Sequence, residues 1–320
     1  MTSATPGSRK GLLSREDYLA PPAVPTGQPP KDVLNTIWRK NEVFLDIGSY
    51  SIGSAVMVIW PVLLLCIWLV HHERNSGIFW EALGLSFFMV GIPILLVLKG
   101  LMSRVPAPIR FNRQRREVCV PFDDGSYWIV PWEQVTAQAV AMDSVGQHGK
   151  TTQGLLVVGF RNPDTNAPEK ERDFSVGFSC GGGETAMSLW ECMRSFMEVG
   201  PDATPQGNDL EGIRGKLGRK GIFWGIWYGF FTGIRDHLMA KEFGQALWLF
   251  VSIFLLGTPL AMMLQVWKLA PPPDLTDPAI VEWSKPLPPE QWAKRSPELE
   301  EAIAKREAEL AAQTDQTLAG

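Results

Sequence analysis

Two uninterrupted apolar runs, Ser54–Val70 and Ala82–Leu98, stand out along the chain. A bilayer core takes roughly 20 apolar residues of helix, with about 17 as a lower limit. The pattern predicts a transmembrane helical hairpin over 54–98, with the polar stretch from His71 to Gly77 as its loop. A third uncharged run, Phe243–Trp267, predicts a transmembrane helix over 243–268. Between them the pattern changes to short alternating runs: Ile109–Asn112, Glu117–Phe122, Tyr127–Val130, Gln134–Ala141, Gly154–Phe160 and Asp173–Phe178. Asp124-Gly125 marks a hairpin turn among them. The run Glu184–Val199 returns to helical spacing, with Ala186, Leu189, Trp190, Met193, Phe196 and Met197 on one stripe. An antiparallel β domain of five or six strands, closed by one helix, is therefore expected over 104–200.

The remaining segments carry weaker signals. Residues 1–30 are rich in Pro, Ser, Thr and Gly, and such a stretch buries too little apolar surface to offset its ordering entropy, so disorder is expected. Residues 31–53 place Val33, Ile37 and Phe44 at helical spacing behind Asp32, which reads as an amphipathic juxtamembrane helix or one packed on the β domain. Residues 201–242 form a basic linker followed by an aromatic segment with glycines at 221, 225, 229 and 233. Spacing of four puts Gly221, Gly225, Gly229 and Gly233 on one helix face, where small residues allow close helix packing. That segment is short for a bilayer and reads as an interfacial or re-entrant helix, with a short span as the alternative. Residues 269–320 form a Pro-rich acidic tail ending in a short helix capped by Ser296-Pro297.

Charge adds orientation. Arg39 and Lys40 precede the hairpin, and Lys99, Arg104, Arg110, Arg113, Arg115 and Arg116 follow it. The positive-inside rule then puts the N-terminus and the β domain in the cytoplasm, and three crossings put the tail in the periplasm. The net charge of −4 gives no reason to expect a nucleic-acid partner. Thirteen tryptophans, several at the ends of apolar runs, suit a membrane interface. Four cysteines, Cys66, Cys119, Cys180 and Cys192, form no CxxC pair and suggest neither a disulfide framework nor a zinc site.

Chemistry is sparse. No HExxH, GxSxG or Walker loop occurs. His71 and His72 are adjacent and poorly placed as co-ligands. Gly181-Gly-Gly-Glu-Thr185 opens a helix but lacks the Lys-Ser/Thr of a nucleotide site. No enzymatic activity, metal or cofactor is expected. The best candidate contact is the cluster Arg110, Arg113, Arg115 and Arg116, close to the membrane exit. Such a cluster holds a domain against anionic headgroups, or recognises an anionic lipid or an acidic partner.

Arg110-Phe111-Asn112-Arg113 and Val130-Pro131-Trp132-Glu133 resemble the opening strands of bacterial pleckstrin-homology-like (PH-like) domains. With Leu34-Asn35 and Asp46-Ile47-Gly48, they make residues 33–267 resemble an uncharacterised family of proteobacterial inner-membrane proteins, a domain of unknown function often encoded near type VI secretion genes. The resemblance implies an α+β membrane protein of the inner membrane: an N-terminal transmembrane helical hairpin, a cytoplasmic PH-like β domain, and a C-terminal transmembrane helix. It implies a non-enzymatic role through protein interaction, as an immunity or accessory protein whose partner is a secreted toxin or secretion component. An anionic-lipid-binding envelope module is the second reading, and a membrane-permeabilising effector, suggested by the glycine ridge, is the third. The lipid bilayer is a partner in all of them, and the oligomeric state is left open.

Overall fold

A computed structural model of the chain describes residues 7–10, 14–19, 24–50, 52–146, 149–180, 183–207, 212, 215 and 221–319. The chain divides into two compact units. The β unit comprises Met1–Ser49, Ala107–Asn208 and Asp274–Gly320, and the helical unit comprises Tyr50–Pro106 and Asp209–Pro273.

Among the described residues, the β unit is built from two five-stranded antiparallel sheets. One has the order β1 (Gly7–Lys10), β2 (Ser14–Tyr18), β8 (Thr136–Gly146), β9 (Gly149–Arg161), β10 (Asp173–Ser179). The other runs β3 (Ile37–Lys40), β4 (Phe44–Ile47), β5 (Ile109–Asn112), β6 (Glu117–Pro121), β7 (Tyr127–Pro131). The helix α3 (Gly183–Glu198) lays the stripe read from the sequence into their shared core. At its centre Trp132 stacks on Trp190 at 5.5 Å, with Phe111 edge-on to Trp132 at 5.9 Å. The hairpin at Asp124-Gly125 joins β6 to β7 as expected.

Several expectations are corrected here. Residues 1–30 are not wholly disordered, because β1 and β2 pair with each other and then with β8. Edge pairing satisfies backbone groups without a large apolar face, which composition cannot reveal. Thr26 also donates from its N–H and hydroxyl to Glu191 of α3, at 3.0 and 2.9 Å. Residues 31–53 form β3 and β4 rather than an amphipathic helix. Asp32 does cap backbone N–H groups, those of Thr36 at 2.9 Å and Ile37 at 3.3 Å, but the chain between them turns through Leu34 and Asn35 at φ of 56° and 59°. That left-handed pair ends any helix. Ile37, Leu45 and Ile47 are then buried from strands. The β domain is accordingly not the contiguous block 104–200.

The tail is corrected as well. It is no solvated tether: Asp274–Gly320 belongs to the β unit. Its short helix α7 (Pro278–Trp283) seats Ile280 against Cys119, and its long helix α8 (Pro297–Ala319) puts Leu299 and Ile303 into the main core. A segment folded into the β unit stands on the same side of a bilayer as that unit, so a periplasmic tail beside a cytoplasmic β domain is ruled out.

In the helical unit, Ile52–Asn75 and Phe79–Met102 are long and apolar enough to cross a membrane. Within them lie α1 (Ile52–His72) and α2 (Phe79–Met102). α2 carries a π turn at Phe87–Gly91, just ahead of Pro93, whose missing N–H breaks the i→i−4 ladder. Few side chains of either window are buried, and Val58, Leu65, Trp68, Phe88 and Leu96 point outward, as a lipid-facing surface requires. The run expected to span at 243–268 is instead two helices, α5 (Phe243–Phe254) and α6 (Thr258–Leu269), bent by 68°. At about 1.5 Å per residue each is roughly 18 Å long, too short to cross alone. Gly257 at the break has φ of 64°, and a Cβ there would stand 2.7 Å from the Trp60 ring. Trp60 Nε1 donates to the freed Phe254 carbonyl at 3.0 Å, and the Thr258 hydroxyl donates to that of Ser252. Ahead of them α4 (Ile222–Met239) is longer than the aromatic segment read from the sequence. Most of the basic linker lies outside the described residues.

Candidate functional site

The four arginines of the candidate cluster do not form one basic patch. Arg110 lies on β5, opposite Asp46 of β4 in the register. Its Nε and Nη2 donate to the Asp46 carboxylate at 2.6 and 2.8 Å, Nη2 also reaches Asp274 at 2.7 Å, and Nη1 reaches the Ser284 hydroxyl at 2.9 Å. The guanidinium lies 3.8 Å over the Phe44 ring. Arg39 joins from β3, 3.5 Å from both carboxylates. Desolvation pushes Asp46 above the usual carboxylate range, opposing the pull of Arg110 and Arg39. Although desolvation opposes it, the hydrogen bond from Arg110 and the charge of Arg39, with weaker contributions beside them, hold Asp274 below that range. This joint fastens the start of the tail to the β3–β7 sheet.

Arg116 makes a second joint. It sits in a turn at φ of 52°, and donates to Glu198 at 3.1 and 2.8 Å and to Glu133 at 3.3 Å. Trp132 Nε1 donates to Glu198 at 2.7 Å, and Arg295 of the tail donates to it at 2.6 Å. Although burial opposes it, these donors hold the Glu198 carboxyl below its usual range. Ser296 N–H donates to Glu133 at 3.1 Å. Arg115 donates to the Trp283 carbonyl at 2.9 Å, while Arg113 reaches toward the Val199 carbonyl at 3.4 Å and stands over Trp292 at 5.3 Å. Arg110 and Arg116 are thus buried in ion pairs, and Arg113 and Arg115 are half-buried beside tail residues.

Sequence reasoning missed the partners: Asp46, Glu198, Asp274 and Arg295. Part of the signal was present. Asp46-Ile-Gly48 supplies the carboxylate for Arg110, and a Cβ at Gly48 would collide with the Trp38 ring. Val130-Pro-Trp-Glu133 supplies both Trp132 and Glu133 to the second joint. Asp274 and Arg295 lie in a segment with no local signal for docking.

The glycine ridge is less closely packed than its spacing predicts. A Cβ at Gly233 would meet Leu249 of α5 at 3.4 Å, while one at Gly229 would meet nothing within 4 Å. Gly221 and Gly225 lie at the opening of α4, joined by the hydrogen bond from Gly225 N–H to the Gly221 carbonyl at 2.5 Å. His72 stacks on Trp68 at 5.2 Å, and His237 Nδ1 lies 2.6 Å from Glu242. Burial pushes the thiols of Cys119 and Cys192 up to about 12 and that of Cys180 to about 11, far from a reactive thiolate. Gly181 and Gly182 of the glycine turn lie outside the described residues.

The open feature of the β unit is the outer edge of β10. Among the described residues this strand ends its sheet, with β9 as its one neighbour. Asn162 N–H donates to the Arg172 carbonyl at 2.8 Å and Cys180 N–H to the Gly154 carbonyl at 2.7 Å, one at each end of the paired stretch. Antiparallel bonding alternates from residue to residue. Phe174, Val176 and Phe178 therefore bond to β9, and the peptide groups of Ser175, Gly177 and Ser179 face away from it. None of these three makes another hydrogen bond among the described residues. The same alternation sends Phe174 inward against Phe122 and Trp128, at 5.0 and 6.2 Å, and leaves Ser175, Gly177 and Ser179 exposed. Beside them on the outer face stand the half-exposed Leu155 and Val157 of β9 and Val140 of β8. The result is a smooth strand edge bordered by a small apolar platform. No family model matches the chain, and neither a curated protein nor a solved structure matches it.

Proposed function

We infer that this protein is a non-enzymatic, membrane-anchored interaction module whose β unit takes an extended strand of a partner protein along β10. The carrying observation is the open edge at Ser175, Gly177 and Ser179. Unpaired peptide groups in register are a template for strand addition, in which backbone bonds give affinity and neighbouring side chains give selectivity. Small side chains let a strand approach closely, and Leu155, Val157 and Val140 offer apolar contact.

The apolar hairpin anchors the module in the bacterial inner membrane, with the β unit and tail in the cytoplasm by the basic flanks. Because both excursions from the β unit return to it, residues 209–273 cross an even number of times. The 68° break and the polar end of α4, Arg235-Asp236-His237, favour none, with the segment as a re-entrant helical layer. The family resemblance supplies the partner class: a secreted toxin or secretion component, with this protein as immunity or accessory factor. The anionic-lipid reading of the arginine cluster is weakened by the ion pairs of Arg110 and Arg116, and the PH-like description rests on strand content and the closing helix.

The test is affinity purification of the full-length protein from its host in mild detergent, beside the variants Ser175→Pro and Gly177→Pro. A partner that co-purifies near stoichiometrically and is lost from both variants is expected. Retention by both, or no protein partner, would overturn the reading.

A further inference from the structure

The helical unit contains a groove that anchoring alone does not require. Its volume is about 630 Å³, within the roughly 300–1,000 Å³ of small-molecule sites. Buried Cys66, Ser86 and Val90 form its floor, and exposed His71 and Arg74 stand at its mouth. The π turn Phe87–Gly91 contributes one wall. Such turns widen a helix locally and are frequent at functional sites.

Two polar features mark the groove. The Ser86 hydroxyl is buried and has no hydrogen bond. A buried unsatisfied hydroxyl is costly, and a helical serine ordinarily bonds back to the preceding turn. Arg74 stands exposed at the mouth, and neither Glu73 nor Glu81 lines the groove. The groove thus joins an apolar trough to a cationic mouth, with one hydrogen-bonding group inside.

That combination fits an anionic amphiphile. From Leu63 to Arg74 the helix rises about 16 Å at 1.5 Å per residue. No lining residue is acidic, so the mouth is complementary to an anionic headgroup, and a single extended hydrocarbon chain can lie along the trough below it. We propose that this groove seats one acyl chain of an anionic phospholipid, with its phosphate at Arg74 and His71 and an ester carbonyl accepting from Ser86. The hairpin is then a lipid-selective anchor, independent of the β10 edge.

The test uses full-length protein in vesicles of phosphatidylglycerol or phosphatidylcholine carrying a diazirine on the acyl chain. Labelled peptides are mapped by mass spectrometry. Phosphatidylglycerol should label 63–70 and 86–94 about fivefold more than phosphatidylcholine, and Arg74→Gln should abolish that preference. Ser86→Phe should fill the groove and cut labelling about tenfold. Ser86→Ala, which keeps the groove open, should lower it about threefold, guarding against a folding defect. Leu95→Phe, on an exposed face, should change nothing. Equal labelling by both lipids around the whole hairpin, including Trp80 and Leu96, would overturn the proposal. So would a second copy of the hairpin cross-linked into the groove.

Discussion

The tail-covered side of the β unit and its β10 edge treat polar groups in opposite ways. On the tail side, Asp46, Arg110, Arg116 and Glu198 are buried and paired, and the tail supplies Asp274 and Arg295 to complete the pairs. At β10, the peptide groups of Ser175, Gly177 and Ser179 are left to solvent. Charges are where a sequence reader looks for recognition, yet here they fasten the chain to itself. The residues free to recognise something are two serines and a glycine, which carry no chemical signature.

Breaking the closed side should have the largest effect. Glu198→Gln takes the carboxylate from Arg295 and leaves Arg116 only Glu133, 3.3 Å away, and removing one partner of a buried pair costs about 3–5 kcal/mol. Chemical denaturation of the β-unit signal should show that loss, with partner binding at β10 kept under native conditions. Asp46→Asn should cost a similar amount at the other joint. Gly48→Ala should cost less, about 1–3 kcal/mol, because the Trp38 ring must move to admit a methyl group.

Acid should loosen the tail with a definite sign. The Glu198 carboxyl lies below its ordinary value of 4.5 when folded. Its contribution to stability is therefore complete above 4.5 and is lost as pH falls from there through the folded value. Limited proteolysis near Arg295 should accelerate in that window, and Glu198→Gln should remove this dependence. At the open edge the effect on stability should be small. Gly177→Pro removes an N–H that bonds to nothing in the sheet, so it should change stability by less than about 1 kcal/mol, while abolishing partner capture. Equal losses of stability in Gly177→Pro and Glu198→Gln would erase the contrast between the two sides.

Much of this architecture is visible in the sequence, and the omissions follow a physical pattern. The apolar hairpin, β5–β7, the alternation of β10 and the stripe of α3 all carry local periodicity. β1 and β2 do not, since they are held by backbone pairing rather than by an apolar face of their own, and the tail shows its last helix but not its docking, which rests on a few apolar residues and long-range ion pairs. Val33, Ile37 and Phe44 fit helical spacing, but the Leu34-Asn35 turn makes them strand residues or their neighbours. Phe243–Trp267 is uniformly apolar, and hydropathy cannot see that Gly257 and Pro259 bend it. For the candidate site, the alternation Phe174, Val176, Phe178 was legible, while the open edge depends on strand order, which periodicity does not specify.

The most direct test is site-specific photocross-linking in the host cell. A photoreactive residue replaces Gly177 in the full-length protein, and a matched one replaces Glu290 on the exposed tail surface. The account predicts a discrete protein adduct from position 177 and none from 290. An adduct confined to 290, or none from either position in cells where the purified protein retains a partner, would contradict it.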